Sequence, residues 1–217
     1  GWSYPDYRDL SERVSGLDAL VGYRIAMMNV GLASEPAILW GYLATGNYFQ
    51  GLGVTPAAGR FLTAEDDRQP GSAPFAVIAY DTWQSRFGGR SETVGSQVAI
   101  NGLSYTVVGV APKGFYGTEV FYRPEIWVPM SMQAQIEIGN PWLTARETQN
   151  VMVVARLRPG VSKAQGETEL AAAVAQLNRE VPNRNSPLSA RLTRPGLFGD
   201  SLGGPTRDFV WGLFSLG

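Results

Sequence analysis

Apolar and polar residues alternate between Gln97 and Val107, and this alternation predicts a two-stranded antiparallel ribbon. The dipeptide Asn101-Gly102 lies between its two halves and accepts the positive φ angles that a two-residue type I′ turn requires. Such a turn sets two cross-strand pairs, Ile100 with Leu103 and Val98 with Tyr105. The apolar face then carries Val98, Ile100, Leu103, Tyr105 and Val107. The other face carries Gln97, Ala99, Ser104 and Thr106, which is typical of a half-buried ribbon.

Glycines around Lys113 raise the alternative of a phosphate-binding loop. A Walker-type loop needs its lysine to be followed by Ser or Thr, whose hydroxyl binds magnesium. Here Lys113 is followed by Gly114 and Phe115, and Gly102, Gly109 and Gly117 do not have the required spacing. The stretch therefore favours a turn and a sheet edge, with Lys113 as a surface lysine.

Helical periodicity marks both ends of the chain. Within residues 3–17 an apolar stripe recurs at i, i+3, i+7 and i+10, formed by Tyr7, Leu10, Val14 and Leu17. Within residues 161–181, Ser162 and Gln165 have the spacing of a capping box, and Pro182 ends the segment. The buried stripe of this second helix is predicted to be Leu170, Val174, Leu177 and Val181.

Runs rich in β-branched and aromatic residues predict strands. They cover 24–30, 37–45, 75–80, 124–130, 150–160 and 187–195. Pro124 and Pro129 flank one of these runs, and proline cannot donate to a ladder, so we expect that strand at an edge or an end of its sheet.

The order of these elements predicts an α+β fold with two subdomains. A discontinuous α/β subdomain, with βαβ-type units from both chain ends, would comprise residues 1–64 and 148–200. An inserted, mainly β subdomain would comprise residues 65–147. Residues 201–217 would form a membrane-proximal lead-in to a transmembrane helix, because Phe209, Trp211 and Phe214 crowd a short terminal segment and aromatic side chains favour the membrane–water interface.

Composition narrows the chemistry available. The 217 residues carry a net charge of −1 and contain neither histidine nor cysteine. These absences exclude thiol nucleophiles, the usual Ser-His-Asp triad and ordinary zinc sites. The sequence contains no block of like charges, so its charge pattern does not indicate nucleic acid as a partner. The chain has no initiator methionine, and both ends look cut, so we expect a piece of a longer polypeptide.

Two groups of side chains offer candidate sites. Glu65, Asp66 and Asp67 could supply a catalytic acid and base, although a solvated turn at the subdomain boundary is the simpler interpretation. They lack the further oxygen ligands of a calcium loop. A set of aromatic residues could line a groove for a sugar or drug, but their strand and helix periodicity favours core packing. This set is Trp40, Tyr42, Tyr48, Phe49, Trp83, Phe87, Trp127 and Trp142.

The order of motifs resembles a known family. The successive segments are "GNYFQGLGVTPAAGRFLTAEDD", "FAVIAYDTWQSRFGG", "VGSQVAINGLSYTVVGVAPKGFYG" and "PEIWVP". The opening "SYPDYRDL" and the later "VARLRPGVSKAQ" also match. Together they resemble the MacB-like periplasmic core domain of ABC transporter permeases, of the FtsX/MacB type and particularly its orphan-permease branch.

The resemblance implies a domain between two transmembrane helices, on the periplasmic face of the inner membrane. Its discontinuous subdomain would be porter-like, and it would have no catalysis and no cofactor of its own. Expected partners are its own transmembrane helices, a second permease copy, a separate cytoplasmic ATP-binding subunit and, in some systems, a periplasmic adaptor protein. Substrates of such systems include macrolides, peptides, siderophores and lipoproteins, and some relatives regulate cell-wall hydrolases.

Three functions remain open at this point. The leading one is a non-catalytic module that couples transmembrane-helix motion to export or mechanotransmission. The second is a soluble periplasmic module that binds a small ligand. The third is a hydrolase that depends on Glu65 and Asp67.

Overall fold

The computed structural model describes residues 1–31, 36–119, 122–182 and 186–193. Within these residues its helices are α1 (Tyr4–Arg13), α2 (Tyr48–Gly51), α3 (Tyr80–Phe87), α4 (Gln133–Ile136) and α5 (Lys163–Glu180). Its strands are β1 (Leu17–Gly31), β2 (Ala37–Ala44), β3 (Ala58–Gly59), β4 (Phe75–Ile78), β5 (Gln97–Ile100), β6 (Leu103–Val110), β7 (Ile126–Pro129) and β8 (Met152–Leu157). The mixture confirms the predicted α+β class.

Six strands form a closed ring of hydrogen-bonded pairs. Going round it, β1 pairs with β2, β2 with β7, β7 with β4, β4 with β6, β6 with β5, and β5 with β1 again. The closing pairs are Val30 with Ile100 and Gly31 with Ala99. Two strands lie outside the ring: β8 pairs with the first half of β1, and the short β3 pairs with β6.

The predicted hairpin is confirmed in its turn and its register. Asn101 and Gly102 both have positive φ, at 50° and 83°, as a type I′ turn requires. Ile100 pairs with Leu103 and Val98 with Tyr105. Leu103 departs from the predicted burial, because it lies beside the turn and remains 46% exposed.

The strand flanked by prolines is not at an edge, so that prediction was wrong. β7 lies between β2, which it pairs in parallel, and β4, which it pairs in antiparallel orientation. Pro124 precedes the strand and Pro129 is its last residue. The missing N–H groups therefore fall at or beyond the ends, and Ile126–Val128 keep their donors for a central position.

Both terminal helices begin at a serine cap. The Ser3 hydroxyl accepts a hydrogen bond from the Asp6 amide, which fixes the start of α1. Ser162 and Gln165 form the predicted capping box at the start of α5. The returning strand predicted over 187–195 is not formed in its described part, residues 187–193, although Leu188 is buried there.

Strands from both predicted subdomains share the one sheet, and the division at residues 64/65 and 147/148 stays a prediction. One apolar cluster is confined to elements near the two chain ends. It joins α1, the start of β1 and α5, and its buried members are Tyr7, Leu10, Val14, Leu17, Leu20, Leu170, Ala173, Val174, Leu177 and Leu188. We call this cluster the terminal junction.

Candidate functional site

The three carboxylates of the predicted acidic cluster contact different partners. Glu65 is exposed and pairs with Arg68 at 2.9 Å. Asp66 is buried, with its Oδ2 2.6 Å from Arg60 and accepting a hydrogen bond from the Thr63 amide at 2.8 Å. Burial alone would raise the pKa of Asp66, but the hydrogen bonds from Arg60 and Thr63 outweigh it and hold the pKa below its ordinary value.

Asp67 faces a different part of the protein. Its Oδ1 accepts a hydrogen bond from the Ser131 amide at 2.7 Å. Its Oδ2 accepts from the Gly46 amide and the Tyr4 hydroxyl, both at 3.2 Å. Burial raises the pKa of Asp67 to about 6, although these hydrogen bonds act in the opposite direction. Asp66 and Asp67 therefore both hold neighbouring segments through hydrogen bonds, and the expected solvated turn applies to Glu65 but not to Asp66 or Asp67.

The aromatic set is mainly core, as the periodicity predicts. Five of its members have at most 1% of their surface exposed: Tyr42, Tyr48, Phe49, Trp127 and Trp142. Trp83 and Phe87 are partly buried against the core. Trp40 is the departure, because it lies on the outer face of β2, is 43% exposed and packs against Tyr122 at a ring separation of 5.2 Å.

The predictions for Lys113 and for the terminal aromatic residues can now be compared with the structure. Lys113 is exposed in the turn after β6, so it is a surface lysine as expected. Phe209, Trp211 and Phe214 lie outside the described residues. In the described ranges, no group of three or more Asp and Glu side chains is placed to hold a metal ion.

The terminal junction is the feature that brings the two ends of the described chain together. Trp2 and Val151 exchange two backbone hydrogen bonds of 2.8 Å, next to α1 and β8. Arg13 at the end of α1 forms a 2.8 Å ion pair with Glu180 at the end of α5. The terminal junction also contains Leu177, which has no exposed surface.

A long-range charge bridge also holds α1, and sequence reasoning missed it. Arg146 Nη1 lies 2.6 Å from Asp6 and 2.7 Å from Asp9. Asp6 is fully buried, and Arg146 is 140 positions away from it in the chain. No local spacing signals such a contact, and an acidic residue in the first turn of a helix is ordinarily exposed, so the sequence carried no sign of it.

A cavity of about 790 Å³ adjoins the terminal junction, between α1, β8, α5 and residues 186–193. Its wall mixes polar and apolar surface, and its apolar part includes Leu10, Leu157 and Leu170. Lys163 and Arg191 also line it, and no acidic residue of the described chain does.

The family model and the most similar curated proteins that match this chain are all of the MacB type. The family model of the MacB-like periplasmic core domain matches residues 1–173. The macrolide export ATP-binding/permease protein MacB of Escherichia coli K12 is 24% identical over 128 residues, which cover 58% of this chain and 18% of that protein. MacB of Shigella flexneri matches with the same values. The chain thus spans about a fifth of the length of these relatives.

Solved structures show the same fold. The extracellular domain of the noncanonical ABC-type transporter YknZ from Gram-positive bacteria superposes with a TM-score of 0.61 at 19% identity, covering 83% of this chain and 84% of its own. The periplasmic region of MacB from Actinobacillus actinomycetemcomitans gives a TM-score of 0.62 at 14% identity, covering 86% and 85%.

None of the helices in the described ranges is both long and apolar enough to cross a membrane. The family is a periplasmic part of transporter permeases and is not known as a catalytic one. Because the family model covers most of the sequence and the fold agrees with it, this chain belongs to the family of MacB-like periplasmic core domains of ABC transporter permeases.

Proposed function

We propose that this chain couples the motion of transmembrane helices to export or mechanotransmission outside the membrane, without catalysis of its own. The observation that carries the proposal is the terminal junction, which fastens α1 and α5 to each other and to the sheet. In the proposed permease, transmembrane helices precede α1 and follow α5. A displacement of either helix would then move the whole domain as one body.

The path for such a displacement is continuous. α1 is bound to α5 by the Arg13–Glu180 ion pair and the apolar cluster. Residues Leu17–Tyr23 of β1 pair with β8, and the second half of β1 belongs to the closed ring. A packed core has little freedom to deform, so force applied at the junction reaches the ring.

The proposal includes partners that follow from the family. They are a second permease copy, an ATP-binding subunit in the cytoplasm and a periplasmic adaptor protein. The names of the relatives, which include ATP binding and macrolide export, support the ATPase and suggest a macrolide as the first transport probe. The domain would stand on the periplasmic face of the inner membrane.

Loosening the terminal junction should separate ATP hydrolysis from export in the reconstituted parent transporter. Leu177→Ala removes a fully buried side chain from the cluster at a cost of about 2–5 kcal/mol in domain stability. We expect ATP hydrolysis to persist while macrolide export falls several-fold. Ala175→Ser changes an exposed position on the same turn of α5 and should alter neither rate.

A cross-link between α1 and α5 tests whether export can be restored in the Leu177→Ala variant. This chain has no cysteine, so Arg13→Cys and Glu180→Cys can be joined by a bismaleimide without side reactions in the domain. Joining them in the Leu177→Ala background should restore export. Unchanged export in Leu177→Ala would contradict the coupling role. A loss that the cross-link does not repair would favour the second candidate function, a ligand-binding module that uses the cavity.

We also propose that residues 201–217 form a membrane-proximal lead-in, with Phe209, Trp211 and Phe214 at the membrane–water interface. The support is the composition of the segment, since aromatic side chains favour that interface. Deleting residues 206–217 should abolish binding to lipid vesicles with little change in the thermal midpoint. A fall of many degrees would show instead that the segment contributes to the core.

A further inference from the structure

The Asp67 carboxylate joins three separate parts of the chain to its own turn. Its oxygens accept hydrogen bonds from the Tyr4 hydroxyl on α1, the Gly46 amide after β2 and the Ser131 amide after β7. The Ser131 hydroxyl adds a 3.2 Å hydrogen bond to the carbonyl oxygen of Asp66. The Asp67 carboxylate therefore connects α1 to the ends of β2 and β7 through hydrogen bonds, and we call this connection the tie.

Few ionisable groups surround this tie. From α1, Tyr4, Tyr7 and Arg8 interact with it or with each other electrostatically. From its own turn, Asp66 is neutralised by Arg60, and Glu65 pairs with Arg68 at the surface. Residues 45–47 and 130–132 contain no ionisable side chain. No cation lies within hydrogen-bonding or ion-pair distance of Asp67 in the described ranges, so its charge is stabilised mainly by the three donors.

Proton binding to Asp67 is linked to whether this tie is closed or open. In the closed form, burial raises the pKa of Asp67 to about 6. In an opened form, water reaches the carboxylate and the pKa returns to its ordinary value of 3.8. The closed form therefore binds the proton more tightly, and opening releases it between these two pH values. Rising pH favours opening over this window, and below about pH 4 the effect is complete.

We propose that Asp67 acts as a proton-dependent latch, which holds the first turn of α1 to the strand ends more firmly in mild acid than at neutral pH. The latch lies beside the terminal junction, so its opening loosens α1 without unfolding the ring. The inference concerns the isolated domain and stands independently of the coupling function proposed above.

Amide hydrogen exchange can read the latch directly, because Gly46 and Ser131 donate their amide hydrogens to Asp67. After correction for intrinsic rates, the opening constant at these two amides should rise about 25-fold between about pH 4.5 and about pH 7.5, the factor set by a pKa of about 6 in the closed form and 3.8 in the open form. The Asn101 amide, which donates to the Asn29 carbonyl oxygen far from the latch, should show no such rise.

Two variants separate the latch from its neighbours. Asp67→Asn keeps the shape but cannot ionise, so the pH dependence at Gly46 and Ser131 should vanish. Glu65→Gln removes the exposed carboxylate of the same turn, and the pH dependence at Gly46 and Ser131 should remain in this variant. A pH dependence that persists in Asp67→Asn, or that is absent from the wild type, would overturn the proposal.

A second measurement does not depend on the fold tolerating Asp67→Asn. The carboxyl carbon of Asp67 can be titrated by NMR in the wild-type domain. A midpoint near pH 6 supports the latch, and a midpoint near 3.8, the ordinary value, refutes it.

Discussion

Replacing Trp127 with alanine is expected to lower the free energy of unfolding by about 3–5 kcal/mol, the range for removing a large aromatic side chain from a core. Trp127 lies on β7 with no exposed surface. Its ring contacts those of Phe49 and Phe115, at centroid separations of 5.4 and 5.8 Å. The cavity left behind would be lined by rigid aromatic neighbours that cannot collapse into it. Urea denaturation of the isolated domain measures the loss.

Trp40→Ala is the matched control for this prediction. It removes the same side chain from the neighbouring strand β2, where Trp40 is 43% exposed. We expect a loss below about 1 kcal/mol, because much of the side chain is already in contact with water. Equal losses for the two variants would show that the buried aromatic cluster does not stabilise the fold as described.

Gly109→Ala should destabilise the domain by more than about 3 kcal/mol, although it adds only one methyl group. Gly109 lies in β6 opposite Gly59 of β3. A Cβ atom at Gly109 would lie 2.0 Å from the carbonyl oxygen of Arg60 and 3.1 Å from that of Ala58. Both are backbone atoms, so relief requires β3 to separate from the ring. Thermal unfolding followed by circular dichroism tests the prediction.

Gly114→Ala gives the contrast. Gly114 has a φ of 85°, which disfavours a side chain. Apart from its own sequence neighbours, however, no atom of the described chain would lie within 4 Å of a methyl group added there. The substitution should therefore cost about 1–2 kcal/mol, the penalty of a left-handed conformation alone. If Gly114→Ala proved the more damaging of the two, the close approach of β3 to β6 would be wrong.

The elements that the sequence predicted well are those defined by neighbours in the chain. The type I′ turn at Asn101-Gly102 needs only two residues with positive φ, and the capping box of α5 needs only Ser162 and Gln165. Such short-range rules act before the rest of the fold is known. The motif order over the middle of the chain was equally informative, because the family model matches residues 1–173.

The features that escaped prediction depend on distant partners. The central position of β7 follows from its pairing with β2 and β4, which no property of "PEIWVP" specifies. The burial of Asp67 depends on Tyr4, Gly46 and Ser131, from three other parts of the chain. An acidic cluster in a loop gives no sign that one member will be buried while another stays exposed. The terminal junction was not predicted either, because the family resemblance implied a coupling function without indicating which residues would carry it.

The closed ring has a consequence for how the chain folds. Its local pairs, β1 with β2 and β5 with β6, can form early, whereas Val30 must meet Ile100 and Gly41 must meet Ile126 before the ring is complete. Such non-local pairing slows folding to milliseconds or longer, roughly the range of all-β domains. Until residue 157 has been synthesised, β1 also lacks β8. A nascent chain would therefore present unpaired apolar strand edges, and protection from aggregation matters most during its synthesis.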